Sequence, residues 1–110
     1  MVNQQGTAAN NLWTELQQWM KDNCFAQNVT VNQISPNEIH IRTNQGRQLC
    51  LDFTPGARCS LGYKFGARAG KEVQLSVTIR GAAFFSVDGE RHSAEELGER
   101  LLYELVSEKS

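Results

Sequence analysis

The hydrophobic pattern near the start of the chain has the period of an amphipathic helix. It predicts a helix over residues 7–25, with one apolar side formed by Leu12, Trp13, Leu16, Trp19 and Met20. Either Thr7 or Asn10 is expected to cap this helix, because a short side-chain oxygen can accept a hydrogen bond from an amide of the first turn. Residues 1–6 are polar and lack the period, so we expect them to be frayed.

Beyond residue 28 the period changes to two, which is typical of strands with one buried face. Alternation predicts strands at residues 28–33, 38–43, 47–53, 61–67, 72–80 and, as a shorter apolar run, 83–87. Turn residues separate them, including Pro36, Gly46 and the pair Asp88-Gly89. The pattern therefore predicts an antiparallel sheet of five or six consecutive strands in a meander-like order.

A second helix is predicted at the end of the sequence. Ser93 and Glu96 have the spacing of a capping box, and the helix is expected to run from 94 to about 107, with Leu97, Leu101, Leu102 and Leu105 turned inward. Gly98 in its middle costs roughly 1 kcal/mol relative to alanine, unless it allows another segment to approach closely. Together these elements predict an α+β fold in which an N-terminal and a C-terminal helix pack on one face of the sheet.

Length and composition are those of a small folded protein. With 110 residues, of which 40% are hydrophobic, the chain is expected to form a single domain over 1–110. Three cysteines form an odd set at unpatterned spacings, which favours free thiols in a reducing compartment. Because no leader pattern and no long apolar stretch is present, we expect a cytoplasmic protein without a membrane partner.

Positive charge is concentrated in the middle of the chain. The net charge is −1, but residues 40–91 contain eight Lys or Arg against four Asp or Glu. Within them, residues 54–71 combine four glycines, two aromatic residues and four cations, with no carboxylate; the cations are Arg58, Lys64, Arg68 and Lys71. Such a segment could present a positive surface to an anionic partner if the four side chains converge.

The residues that could support catalysis or bind a metal lack the required patterns. Cys24, Cys50, Cys59, His40 and His92 show no spacing typical of metal ligands. Cys59, next to Arg58, is the best candidate nucleophile, but no histidine partner is identifiable. The glycines of the basic segment also miss the spacing of a phosphate-binding loop. We therefore expect no enzyme activity, no metal and no cofactor.

The first functional hypothesis is a protein that acts through contacts with another protein or with itself. It would be an accessory, chaperone-like or inhibitory protein, with a homodimer as one form. Trp13 and Trp19 lie on the apolar side of the first helix and are candidate contact residues, because tryptophan is enriched in interfaces. The structural alternative is that both rings pack on the sheet.

The second hypothesis is a nucleic-acid-binding module that uses residues 54–71. Gly62-Tyr63-Lys64-Phe65 resembles four residues of the aromatic core strand of an RNA-recognition motif, in which alternating rings stack on bases. The order of elements differs from that family, since here the strands are consecutive. Tyr63 and Phe65 also alternate onto the same side as Leu61, which predicts that they point into the core.

Overall fold

The protein consists of two helices and a seven-stranded antiparallel sheet. The structure is a computed structural model that describes residues 4–24, 28–55, 60–77, 80 and 82–107. The helices are α1 (Gln4–Cys24) and α2 (Ala94–Ser107). The strands between them are β1 (Val29–Ser35), β2 (Glu38–Thr43), β3 (Gln48–Thr54), β4 (Ser60–Phe65), β5 (Lys71–Val77), β6 (Ala83–Val87) and β7 (Glu90–His92).

The strands lie side by side in chain order from β1 to β7, and each pairs antiparallel with the next. This confirms the predicted α+β fold with a meander-like sheet, and it corrects the strand count from five or six to seven. The strand that sequence analysis missed is β7, whose three residues are all polar and too short to show a period. The Asp88-Gly89 turn that precedes β7 was predicted. In the structure both residues have positive φ, as a two-residue hairpin connection requires.

One face of the sheet is apolar and is covered by both helices. The strand registers place Ile41 opposite Leu49, and Leu49 opposite Phe65, and all three side chains are buried. The helices add their own apolar sides to the same core, through residues that include Leu12, Leu16, Met20, Leu97, Leu101 and Leu105. Burial of this continuous apolar surface is the main source of stability in such a fold. None of the helices in the described ranges is both long and apolar enough to cross a lipid bilayer.

Helix α1 begins earlier than predicted. It starts at Gln4, so Thr7 and Asn10 lie inside the helix and neither is its cap. The carbonyl oxygen of Asn10 instead accepts a hydrogen bond from the hydroxyl of Thr14, at 2.9 Å. Packing of the apolar side on the sheet stabilises a helix beyond its local capping signals. The predicted last residue, Phe25, and the end of the predicted fifth strand, residues 78–79, lie outside the described residues.

Helix α2 begins with the predicted capping box. The amide of Glu96 donates to the hydroxyl of Ser93 at 3.1 Å, and the amide of Ser93 donates to the carboxylate of Glu96 at 3.0 Å. The hydrogen bond from the Ser93 amide, with a smaller contribution from the Ser93 side chain, favours the charged carboxylate and holds the pKa of Glu96 below its usual value. The cap fixes where α2 leaves β7 and therefore which side of the helix meets α1.

The ring of Trp19 on α1 packs directly against Gly98 of α2. A methyl group at this position would lie 2.4 Å from Cε3 of Trp19 and 2.8 Å from Cζ3, well inside van der Waals contact. The close contact with Trp19 explains why a glycine lies in the middle of α2. A close approach of another segment was the one condition under which this glycine was expected to be favourable. The contact holds the ring of Trp19 against α2 at the outer side of the helix pair.

Candidate functional site

The predicted cations do not form one cluster. Lys64 lies on the open face of the sheet, which is the face opposite the helices. Lys71 pairs with Tyr63 and therefore belongs to the helix side, while Arg68 lies in the turn between β4 and β5. All three side chains are exposed. The fourth cation, Arg58, and the candidate nucleophile, Cys59, lie outside the described residues.

A different arginine joins Arg68 at the end of the sheet. The turn between β2 and β3 and the turn between β4 and β5 flank a cavity of about 550 Å³. Arg47 and Arg68 both line it, together with Phe65. The two turns are tied together by the amide of Gly66, which donates to the carbonyl of Gln48 at 2.9 Å. We refer to this space as the turn cavity.

The open face carries charges of both signs in separate rows. Glu38 pairs with Asp52, Asp52 with Gly62, and Gly62 with Glu72, so three carboxylates lie in one row across four strands. A nucleic-acid backbone would meet repulsion along this row. Lys64 is two residues away from it along β4, so the open face is not a uniformly positive surface.

The open face also contains a network of polar side chains on β2 and β3. The imidazole of His40 donates from Nε2 to the carboxylate of Glu38 at 2.7 Å. The amide of Gln48 donates to Nδ1 of His40 at 3.2 Å and to Sγ of Cys50 at 3.4 Å. His40 and Cys50 are cross-strand neighbours, yet Gln48 occupies the nitrogen that would have to accept the proton of the thiol. These contacts form a structural hydrogen-bond network. They do not form the thiol-imidazole pair that would activate Cys50 as a nucleophile.

The two described cysteines should differ strongly in reactivity. Cys24 is fully buried, and burial raises the pKa of its thiol from 9.0 to about 11. At a fixed pH this shift lowers its thiolate fraction about 100-fold. We expect iodoacetamide at pH 8 to label Cys50, which is only half-buried, at least about tenfold faster than Cys24. Peptide-resolved mass spectrometry over time measures both rates, and urea should abolish the difference; similar rates in the native protein would contradict the placement of Cys24.

The two candidate tryptophans have different positions. Trp13 is 3% exposed, stacks on Phe53 with ring centroids 5.6 Å apart, and donates from Nε1 to the carbonyl oxygen of Pro36 at 3.0 Å. Its apolar ring and its polar nitrogen are both satisfied inside the protein, so a partner could reach it only after unfolding. Trp19 is half-buried and remains at the surface. Trp13 therefore packs on the sheet, as the alternative to a contact role predicted, and of the two tryptophans only Trp19 is available for contact.

Trp19 lies in a groove between the two helices. The groove encloses about 350 Å³, and its residues are Trp19, Asn23, Glu99, Leu102, Tyr103 and Val106. We call it the helical groove. Leu102 is buried, whereas Tyr103 is 72% exposed and Val106 is 39% exposed. An exposed phenol ring next to an exposed aliphatic side chain and a half-buried indole forms a local apolar patch on an otherwise polar helix surface.

The side of α2 next to the helical groove is mainly acidic, with Arg100 beside Glu96, Glu99 and Tyr103. The exposed residues of α2 include four glutamates and one arginine: Glu95, Glu96, Glu99, Glu104 and Arg100. Glu96, Glu99, Tyr103 and Val106 follow one another at helical spacing, so the carboxylates and the apolar patch share one side of α2. The groove therefore combines an apolar centre with an acidic border.

Sequence reasoning missed both Tyr103 and Arg47 as candidate site residues. Tyr103 breaks the otherwise polar outer stripe of α2, and this signal was present in the helical period. Arg47 gave no local signal, because its importance depends on the turn between β4 and β5 lying beside it. Comparison with protein-family models, with curated proteins and with solved structures finds no match for this chain.

Proposed function

We propose that this protein acts without catalysis, by binding another protein through the helical groove, as an accessory, chaperone-like or inhibitory factor. The observation that carries the proposal is the exposed ring of Tyr103 at the border of a groove formed by Trp19 and Leu102. Aromatic side chains at the centre of a contact surface contribute most of the binding energy in typical interfaces. A space between two helices also suits a third amphipathic helix.

The acidic border selects the kind of partner. Glu99 borders the groove, Glu96 precedes it on the same side of α2, and Glu104 is also exposed on this helix. A segment with apolar residues at helical spacing and Lys or Arg around them would complement both the apolar centre and the negative border. The proposed partner is therefore a basic amphipathic helix of another protein.

A second copy of the chain fits this groove less well. Two such faces in a symmetric dimer would bring the glutamates of both copies together, and like charges across an interface are unfavourable. The sheet edges also do not favour strand pairing. β1 has an irregularity between Gln33 and Ser35, and β7 has only three residues, including exposed Glu90 and Arg91. Short, irregular and charged edges oppose edge-to-edge association.

The nucleic-acid alternative receives less support. Lys64 and Lys71 lie on opposite faces of the sheet, and the row of Glu38, Asp52 and Glu72 crosses the open face. Tyr63 and Phe65 lie on the helix side, where Phe65 is buried and Tyr63 packs against the core. Neither ring has the fully exposed position that stacking on bases requires.

Two synthetic helical peptides test the proposal directly. Both have leucines at the same helical spacing, and their polar positions are lysine in one peptide and glutamate in the other. We expect the lysine peptide to bind in fluorescence anisotropy and the glutamate peptide not to bind. Tyr103→Ala should weaken binding at least about tenfold, since it removes the exposed aromatic anchor. Glu99→Lys should also weaken it, because it reverses a charge at the groove.

Matched controls separate the groove from general effects. Gln74→Ala, on the open face, should leave peptide binding unchanged, and the thermal midpoint of each variant reports on folding. Equal binding of both peptides, or binding that does not respond to Tyr103→Ala, would contradict the proposed surface. Sedimentation over a concentration series tests self-association. A dimer that Tyr103→Ala dissociates would replace the basic partner with a second copy of this chain.

A further inference from the structure

The turn cavity combines two features of an anion-binding site. Its volume of about 550 Å³ is within the range of pockets that hold small organic ligands. Two arginines line it, and none of the described residues at its wall has a carboxylate. We propose that this cavity binds a small molecule through a phosphate group, with Arg47 and Arg68 as the residues that recognise it. The site is separate from the helical groove and does not depend on the function proposed for that groove.

Arg47 carries a positive charge at the wall of the turn cavity. Its side chain is half-buried, and it has no ion pair among the residues that the structure describes. Its charge has no carboxylate partner within the described part of the chain, so an anion that enters the cavity supplies the opposite charge that the protein does not. The planar fork of arginine fits two oxygens of a phosphate at once, which a lysine cannot do.

Hydrogen bonds already fix the backbone around Arg47. The amide of Thr43 donates to the carbonyl of Arg47 at 2.8 Å, and the amide of Arg47 donates to the hydroxyl of Thr43 at 3.1 Å. Gly46, with φ of +87°, closes this turn in a conformation that residues other than glycine rarely adopt. Binding therefore does not have to order this turn, which reduces its entropic cost.

The turn that holds Arg68 is fixed in the same way. The amide of Arg68 donates to the carbonyl of Phe65 at 3.0 Å, and the amide of Gly66 connects this turn to β3. The backbones that support the two arginines are thus held by hydrogen bonds at adjacent positions of one sheet end. Phe65 between them supplies an apolar wall for the body of a ligand.

The charges farther along the sheet favour an anion at this end. The row of Glu38, Asp52 and Glu72 meets β4 at Gly62, which is three residues before Phe65 and on the opposite face. At the usual rise of a strand this separation is about 10 Å along β4, comparable to the screening length at physiological salt. Lys64 and Lys71 are closer in register to the cavity than these carboxylates and add positive potential.

The test uses the ¹⁵N-labelled chain of residues 1–110 and three probes of defined chemistry: phenyl phosphate, inorganic phosphate and benzoate. We expect phenyl phosphate to shift the amide resonances of Gly46, Arg47, Gly66 and Arg68, with saturation in the millimolar range or below. Inorganic phosphate should bind more weakly, because it lacks a body to contact Phe65. Benzoate should bind least, because it has one negative charge and only two oxygens.

Substitutions identify the residues responsible. Arg47→Gln and Arg68→Gln should each weaken phenyl phosphate binding at least about fivefold, and Arg47→Lys should recover only part of the loss. Arg100→Gln is the matched control, since it removes the same charge from an exposed position on α2, away from the two turns that flank the cavity. It should change the dissociation constant less than twofold.

Three results would overturn the proposal. One is that phenyl phosphate shifts amides near Arg91 and Arg100 as strongly as those of the turn cavity. Another is that Arg100→Gln weakens binding as much as Arg47→Gln, because this would mean attraction to net charge alone. The third is tight binding of a single-stranded oligonucleotide that depends equally on Lys64 and Arg47 and falls steeply with salt, which would favour nucleic acid instead. Unchanged thermal midpoints confirm that the variants fold.

Discussion

Replacing Gly98 with alanine is expected to destabilise the protein by about 1 kcal/mol or more, although alanine is the better helix former. The new methyl group would lie 2.4 Å from Cε3 of Trp19. The indole ring must then move toward the helical groove or the two helices must separate, and either change disrupts the packing of Trp19 against α2. A contact this short belongs in the upper part of the roughly 1–3 kcal/mol that overpacking costs, which exceeds the gain in helix propensity of at most about 1 kcal/mol.

Urea unfolding followed by circular dichroism measures this change, and Gly62→Ala provides the matched control. A methyl group at Gly62 would meet only backbone oxygens, at 3.6 Å and 3.9 Å, which is ordinary contact. Gly62→Ala should therefore be neutral or slightly stabilising. Trp19→Leu combined with Gly98→Ala should cost less than the sum of the two separate changes, because the leucine removes the clashing ring. A Gly98→Ala variant as stable as the natural protein would rule out the close helix contact.

Replacing Phe53 with alanine is expected to cost about 3–5 kcal/mol, a large share of the roughly 5–15 kcal/mol that stabilises a typical domain. Phe53 is 2% exposed and stacks on Trp13 with an angle of 15° between the rings. Its loss removes buried apolar surface and leaves a cavity beside the indole. The emission of Trp13 should change, because its ring then meets looser packing and water.

The control for Phe53 is Phe84→Ala, the same substitution on the other face of the sheet. Phe84 is half-buried beneath the guanidinium of Arg91, which lies 4.6 Å from the ring centre. Its truncation removes a surface contact and should cost about 1 kcal/mol or less. Chemical unfolding of both variants gives the comparison. Equal losses of stability would mean that the helix side of the sheet is not the main core.

The period of the sequence was sufficient to predict the layers of the fold. Strict alternation in β5 and the helical spacing in α2 are consequences of burying one side of each element, and this can be read from residue order alone. The turn at Asp88-Gly89 and the capping box at Ser93 are local as well, since each is completed within a few residues. Strand β7 was not predicted, because three polar residues are too few to show an alternating pattern.

The candidate sites were only partly accessible to sequence reasoning. Trp19 was named among the contact residues, but its neighbours Tyr103 and Val106 come from a helix more than 80 positions later in the chain. Arg68 was named among the basic residues, whereas its partner in the turn cavity, Arg47, belongs to a different turn. Both groupings depend on which segments the sheet and the helix pair bring together.

The sequence by itself determined the α+β class, the order of the elements, the side of each element that is buried, and the presence of a basic central segment, because these depend on the residues within each element. Only the tertiary structure decided that Trp13 is enclosed while Trp19 borders a groove, and that Lys64 and Lys71 lie on opposite faces. These outcomes depend on register and helix packing. A shift of one residue in a strand moves a side chain to the other face, and such a shift is fixed by partners distant in sequence.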